Sequence, residues 1–144
     1  SGGMGKAVIA AFRDAGFTDV IIAARNRESG PALAKQYGFQ WQPQPEGIAC
    51  DILVNVTPVG MSGGKESHEL AFSEAMVSTA SVVFDVVALP PETPLIRLAQ
   101  RLDKQTISGA EVIALQAVEQ FAMYTGVRPD AQLIAEAAQF AREG

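Results

Sequence analysis

The chain has 144 residues, 48% hydrophobic and 19% charged, enough to bury one core and too few for two full domains. With 16 acidic against 11 basic residues and a net charge of −5, it repels phosphate backbones and anionic lipid, so no nucleic-acid or membrane partner is expected and any anion site must be local. A single cysteine, Cys50, allows no internal disulfide, and no run approaches the roughly 18 apolar residues of a membrane span or resembles a signal peptide, which reads as cytoplasmic.

The chain opens on Ser1-Gly2-Gly3-Met4-Gly5, a glycine-rich turn with no strand before it. Val8, Phe12 and Ala15 then recur at helical spacing, and Gly16 is a stop, so Lys6 to Ala15 reads as a helix. Val20 to Ala24 is a short apolar run suited to a strand covered on both faces. A second helix runs from Pro31 to Tyr37 and stops at Gly38, and Phe39 to Gln42 reads as a short strand. Ile52 to Asn55 and Ser81 to Val87 are the next strands, separated by a Gly-Ser-Lys loop from Gly60 to Ser67 and a weak helix around Phe72 to Met76. Leu95, Ile96, Leu98 and Ala99 form an apolar stripe after Pro94, and Thr106-Ile107 is a brief strand. Helices over Ala110 to Thr125 and Asp130 to Arg142 close the chain, with Asp130 as a cap. This alternation predicts an α/β fold, a Rossmann-like doubly wound parallel sheet lacking its first strand.

Three segments carry chemistry. Gly2-x-x-Gly5 matches the last two glycines of G-x-G-x-x-G, which let backbone approach a pyrophosphate at the positive end of the next helix. Arg25 lies twenty residues after Gly5, at the tip of the second strand of such a fold. An acid there accepts from the ribose hydroxyl of NAD, whereas an arginine offers a planar fork to the 2′-phosphate of NADP. Ala24-Arg25-Asn26-Arg27-Glu28-Ser29 is therefore read as a local anion site, with an ion pair from Glu28 to either arginine as the competing arrangement. Asn55 to Met61 follows a strand at its carboxyl end, where open α/β sheets bind ligands, and Pro58 stiffens it.

Taken in order and spacing, these segments resemble the shikimate dehydrogenases, above all the shikimate-dehydrogenase-like branch. The resemblance runs through Ala24-Arg25-Asn26, Asn55 to Met61, Gly63 to Glu66, Asp85-Val86-Val87, Pro91 to Leu95, Ser108-Gly109, Gln116-Ala117 and Phe121. It implies an NADP-binding domain over residues 1–144 of an enzyme that interconverts 3-dehydroshikimate and shikimate. It also implies roles: Gly2, Gly3 and Met4 at the pyrophosphate; Ala24, Arg25, Asn26 and Arg27 around the 2′-phosphate; Thr57 and Val59 bordering the cofactor; Val86 and Gly109 near the nicotinamide; Gln116 on the substrate. The proton that a reduced ketone needs comes, in the family, from a lysine and an aspartate on an amino-terminal substrate domain, so no catalytic residue is assigned here. The expected partners are a small-molecule substrate, shikimate or a relative such as quinate, and that missing domain.

Two positions depart from the family's pattern. Ala88 stands where a substrate-contacting tyrosine is usual, and Glu111 replaces a glycine beside the expected nicotinamide position. They keep open a non-catalytic NADPH-binding sensor and, further off, a glutamyl-tRNA reductase-like cofactor domain. Lone His68, Cys50, Lys65 and Trp41 are assigned no chemistry: the first is read as exposed, the second as a small buried residue and the last as packing, and no metal site is expected.

Overall fold

In the computed structural model, residues 2–143 are described, with side chains described through Ala137. They form six helices and five short strands, alternating except where β2 leads to β3 and α5 to α6. Helix α1 spans Gly3–Asp14, β1 Ile21–Ala23, α2 Ser29–Tyr37 and β2 Gln40–Gln42. They are followed by β3 (Ile52–Asn55), α3 (Glu74–Thr79), β4 (Val82–Asp85), α4 (Pro94–Arg101), β5 (Gln105–Ser108), α5 (Gly109–Thr125) and α6 (Ala131–Glu143).

All strand pairs are parallel, as expected where every connection passes through a helix or long loop. They form two sheets, β1-β2 and β3-β4-β5. Among the described residues no strand pairs with the second edge of β1 or of β3. Helix α1 approaches the larger sheet where a Cβ on Gly5 would lie 3.6 Å from Val56 Cγ2, just past β3.

The core sits under the larger sheet. Leu53 and Val83 pack with Met76, Val77 and Ala80 of the α3 segment and with Leu95, Leu98 and Ala99 of α4, and Val77 and Ala99 are wholly enclosed. A fully buried Leu or Val contributes about 1.5–3 kcal/mol, so this layer anchors β3 and β4 onto the α3 segment and α4.

Several boundaries differ from the sequence reading. Helix α1 begins at Gly3 because the Lys6 N–H donates to the Gly2 carbonyl at 3.2 Å, making the glycine turn the helix's own first turn. Helix α3 starts at Glu74, later than expected, because Ser73 Oγ caps it by accepting from Met76 N–H. Strand β4 stops at Asp85 because that side chain captures the Val87 N–H. The Asp130 cap is present, accepting from Leu133 N–H at 2.8 Å, and Gly38 ends α2 in the left-handed region at φ 75°.

Candidate functional site

The segments singled out in the sequence lie at the carboxyl ends of the strands and at the amino end of α1. Gly2 caps α1 without a side chain, so the first amides of the helix receive no side-chain cap among the described residues, and a Cβ on Gly2 or Gly3 would meet nothing within 4 Å. The backbone is therefore approachable from outside, and the positive end of a twelve-residue helix faces that opening. Met4 is half exposed on the same turn.

The turn from β1 to α2 carries the arginines. Asn26 Oδ1 accepts from the Glu28 and Ser29 N–H groups at 2.9 and 2.8 Å, which fixes the turn in the manner of an Asx cap. Arg25 and Arg27 are exposed and form no ion pair or hydrogen bond among the described residues. The expected competition from Glu28 is thus not realised, and two cations stand together on a protein of net charge −5.

Across the larger sheet, Asn55 pairs in register with Asp85 and Asp85 with Ser108, so the three strands end in a row. Asp85 is completely buried. Its Oδ1 accepts from Asn55 Nδ2 and from the Val87 N–H, each at 3.0 Å, and its Oδ2 accepts from Thr93 Oγ1 at 2.7 Å. Burial raises the Asp85 carboxyl above the usual aspartate range, while donation from Thr93, the Val87 amide and Asn55 pulls it back. Asn55 spreads the network outward. Its Nδ2 donates to the Val59 carbonyl and its Oδ1 accepts from both the Thr57 amide and hydroxyl. Thr93 in turn caps α4 by accepting from Ile96 N–H. Gly60, at φ 86°, lies so close to Thr93 and Pro94 that a Cβ there would be 3.4 and 3.3 Å from their side chains. The Asn55 to Met61 loop and the Val86 to Thr93 segment, which contains a cis Leu89-Pro90 bond, are joined further by Ser62 N–H donating to the Leu89 carbonyl.

Gly109 begins α5 so close to this segment that a Cβ on it would run into the Val86 and Val87 carbonyls. Val86 and Gly109 are therefore neighbours. Glu111 is engaged: its Oε2 accepts from the Ser108 amide and hydroxyl at 2.6 and 2.8 Å, and Ser108 Oγ accepts from the Glu111 amide, a reciprocal capping box. The Ser-x-x-Glu spacing was the signal for this, and it makes the acid a helix cap as well as a departure from the family pattern. Gln116 lies exposed on the third turn of α5 and has no hydrogen-bond partner among the described residues.

Sequence reading missed the central place of Asp85 and Thr93, whose positions stand eight apart and meet only through the fold. Cys50 is only half-buried beside the core, with burial and the neighbouring Asp51 pushing its thiol up. His68 and Lys65 are exposed. Trp41 does more than pack, donating its indole N–H to the Ala24 carbonyl. No helix among the described residues is long and apolar enough to cross a membrane.

No protein-family model matches the chain. A curated shikimate dehydrogenase-like protein of Haemophilus influenzae is 59% identical over 142 residues, covering 99% of this chain and 52% of that protein. A solved shikimate 5-dehydrogenase-like protein, also 59% identical, superposes with a TM-score of 0.95 over 98% of this chain and 52% of its own. The shikimate 5-dehydrogenase of Thermus thermophilus, solved with NADP(H) and shikimate, is 28% identical, with a TM-score of 0.80 over 97% of this chain and 52% of its own. A quinate dehydrogenase of Corynebacterium glutamicum, solved with NAD, is 29% identical at the same TM-score of 0.80, over 97% and 52%. The chain spans about half the length of the curated relatives it matches.

Proposed function

Since this chain belongs to the shikimate dehydrogenase family, we propose that it is the NADP(H)-binding domain of a two-domain dehydrogenase acting on shikimate or a close relative such as quinate. The observation that carries the cofactor choice is the pair of cations Arg25 and Arg27, without a partner among the described residues, on a turn fixed by Asn26 at the end of β1. A guanidinium there forms charge-assisted, bidentate bonds to a 2′-phosphate and has no counterpart on a bare ribose hydroxyl.

The remaining residues fit the same ligand. Gly2, Gly3 and Met4 offer uncapped amides and the helix dipole to a pyrophosphate. Ala24 and Asn26 shape the turn around the arginines. Thr57 and Val59, both tied to Asn55, form a rigid wall along the crevice, and Val86 and Gly109 present backbone to the nicotinamide end. Bound in this way, the nicotinamide supplies or accepts the hydride. Gln116 would meet the substrate from α5. Among the described residues the buried acid, Asp85, is sealed from solvent and fully engaged, so it is not placed to protonate an alkoxide. The lysine and aspartate pair of the family would stand on the other domain.

One feature supports a second domain. Helix α5 leaves Ile113, Leu115, Phe121, Met123 and Tyr124 exposed around its circumference, Tyr124 by 82%, large apolar side chains that a further part of the protein would cover.

The assay is made on the longest natural polypeptide that contains this chain, with shikimate or quinate and either NADP⁺ or NAD⁺. The expected result is substrate-dependent reduction of NADP⁺, with kcat/KM at least about tenfold above that with NAD⁺, and none from residues 1–144 alone. Tight NADPH binding without turnover on either acid would instead favour a sensor, the reading that Ala88 supports by withholding a substrate hydroxyl.

A further inference from the structure

We infer that Trp41 is a positioning residue for the 2′-phosphate site: its indole holds the turn that carries Arg25 and thereby sets the preference for NADPH over NADH. The inference rests on the cofactor reading above and deepens it.

Trp41 is the middle residue of β2, paired with Ile22 of β1. Its Nε1–H donates to the Ala24 carbonyl at 3.1 Å, a bond that spans 17 residues of sequence. The Ala24 N–H donates to the Gln42 carbonyl at 3.0 Å, so the residue just before Arg25 is held at both its amide and its carbonyl by β2. On the far side of Arg25, Asn26 holds the Glu28 and Ser29 amides through its side chain and the Gly30 amide through its carbonyl. Arg25 is thus bracketed by fixed backbone while its own side chain has no partner among the described residues.

Gly30 completes the arrangement. A Cβ there would overlap Trp41 Nε1, stand 2.8 Å from its Cδ1 and lie 3.1 Å from the Ala24 Cβ. These are atoms in the body of a ring held by its own hydrogen bond, with no flexible end to swing aside. The first turn of α2 can therefore sit on the indole only because residue 30 has no side chain. Helix α2, the ring and the Ala24 carbonyl form one stack under the arginine.

Such a stack acts on ligand discrimination through preorganisation. An arginine whose backbone is already placed loses less freedom on gripping a phosphate than one on a mobile turn. NADH has no 2′-phosphate and gains nothing from Arg25, so loosening the turn penalises NADPH alone. A residue that merely stabilised the fold would lower both affinities together.

The test measures dissociation constants of NADPH and NADH for the full-length protein with Trp41→Phe, which keeps an aromatic ring and removes the donor, and with Gly30→Ala, which displaces the ring. Each is expected to weaken NADPH by about tenfold, the value of one lost hydrogen bond and its ordering, while NADH changes by less than about twofold. In an Arg25→Ala background, Trp41→Phe should have no further effect on the ratio, since the two act as one unit. Equal losses for both nucleotides, no loss for either, or additivity with Arg25→Ala overturns the role of Trp41 while leaving the cofactor reading intact. An unchanged ratio in Arg25→Ala itself overturns the cofactor reading, and this inference with it. Should Trp41→Phe not fold, Gly30→Ala reads the same ratio from the other side of the contact.

Discussion

Asp85→Ala is expected to lower the unfolding free energy by about 3–5 kcal/mol, because it orphans several buried donors at once and opens a void beneath two loops. The Val87 amide, the Asn55 carboxamide and the Thr93 hydroxyl all donate to this one side chain, which is wholly enclosed. A denaturant titration should show a lower midpoint with an unchanged slope. Asp85→Asn keeps an acceptor for Asn55 and the Val87 amide and turns its NH₂ toward Thr93 Oγ1, so it should cost less, about 1–2 kcal/mol. The two variants also separate charge from shape through pH. Burial raises the Asp85 carboxyl above its unfolded value, so the folded state keeps its proton as pH climbs after the unfolded chain has released its own. In that window the unfolded state binds fewer protons and stability falls as pH rises. Asp85's contribution is therefore greatest below the ordinary aspartate range and is lost as pH passes its raised value. In Asp85→Asn that decline should vanish, so the stability gap between wild type and variant narrows from acid toward neutral pH. A gap that widens instead would mean that the three donors outweigh burial.

Gly109→Ala should be nearly as damaging, for a different reason. The added Cβ would overlap the Val86 carbonyl oxygen and stand 2.6 Å from the carbonyl carbon and oxygen of Val87. Backbone meets backbone here, and no rotamer relieves the clash. Either α5 moves off its capping box at Ser108 and Glu111, or the end of β4 shifts and disturbs the Val87 amide bond to Asp85. A loss of about 3 kcal/mol is expected, at the upper end for overpacking. NADPH affinity should fall with it, since Val86 and Gly109 are the pair assigned to the nicotinamide end. Gly3→Ala provides the contrast, with open space around its Cβ and no expected loss of stability. Parallel thermal melts of the two alanine variants test the difference.

The order and type of the elements were legible because the chain's local signals agree with its fold. Continuous apolar runs marked β3 and β4, the Pro94 stripe marked α4, and Gly38 and Asp130 marked a helix end and a helix start. The turn carrying Arg25 was legible because its spacing from the glycine turn is set by one strand-helix-strand unit. What stayed hidden depends on distant parts meeting. The hub at Asp85 needs Asn55, thirty residues away, and is invisible until β3 and β4 pair in register. Trp41 read as packing because its acceptor, the Ala24 carbonyl, is backbone and carries no sequence signature. Glu111 read as a foreign charge near the cofactor, although Ser108 three residues earlier gives it the local role of a cap. Boundaries drifted where a side chain captured a nearby amide, as Ser73 does at α3 and Asp85 at the end of β4.

The central claim is that Arg25 makes this an NADP(H) domain. It is tested most directly by titrating NADPH and NADH into the full-length protein, unmodified and as Arg25→Ala, by isothermal calorimetry at one fixed salt concentration. The account predicts that the unmodified protein prefers NADPH and that Arg25→Ala weakens NADPH by about 10- to 100-fold, the range for charge-assisted bonds to a phosphate, with NADH unchanged. Equal affinity for the two nucleotides in the unmodified protein, or an Arg25→Ala variant that still binds NADPH as tightly, would contradict it.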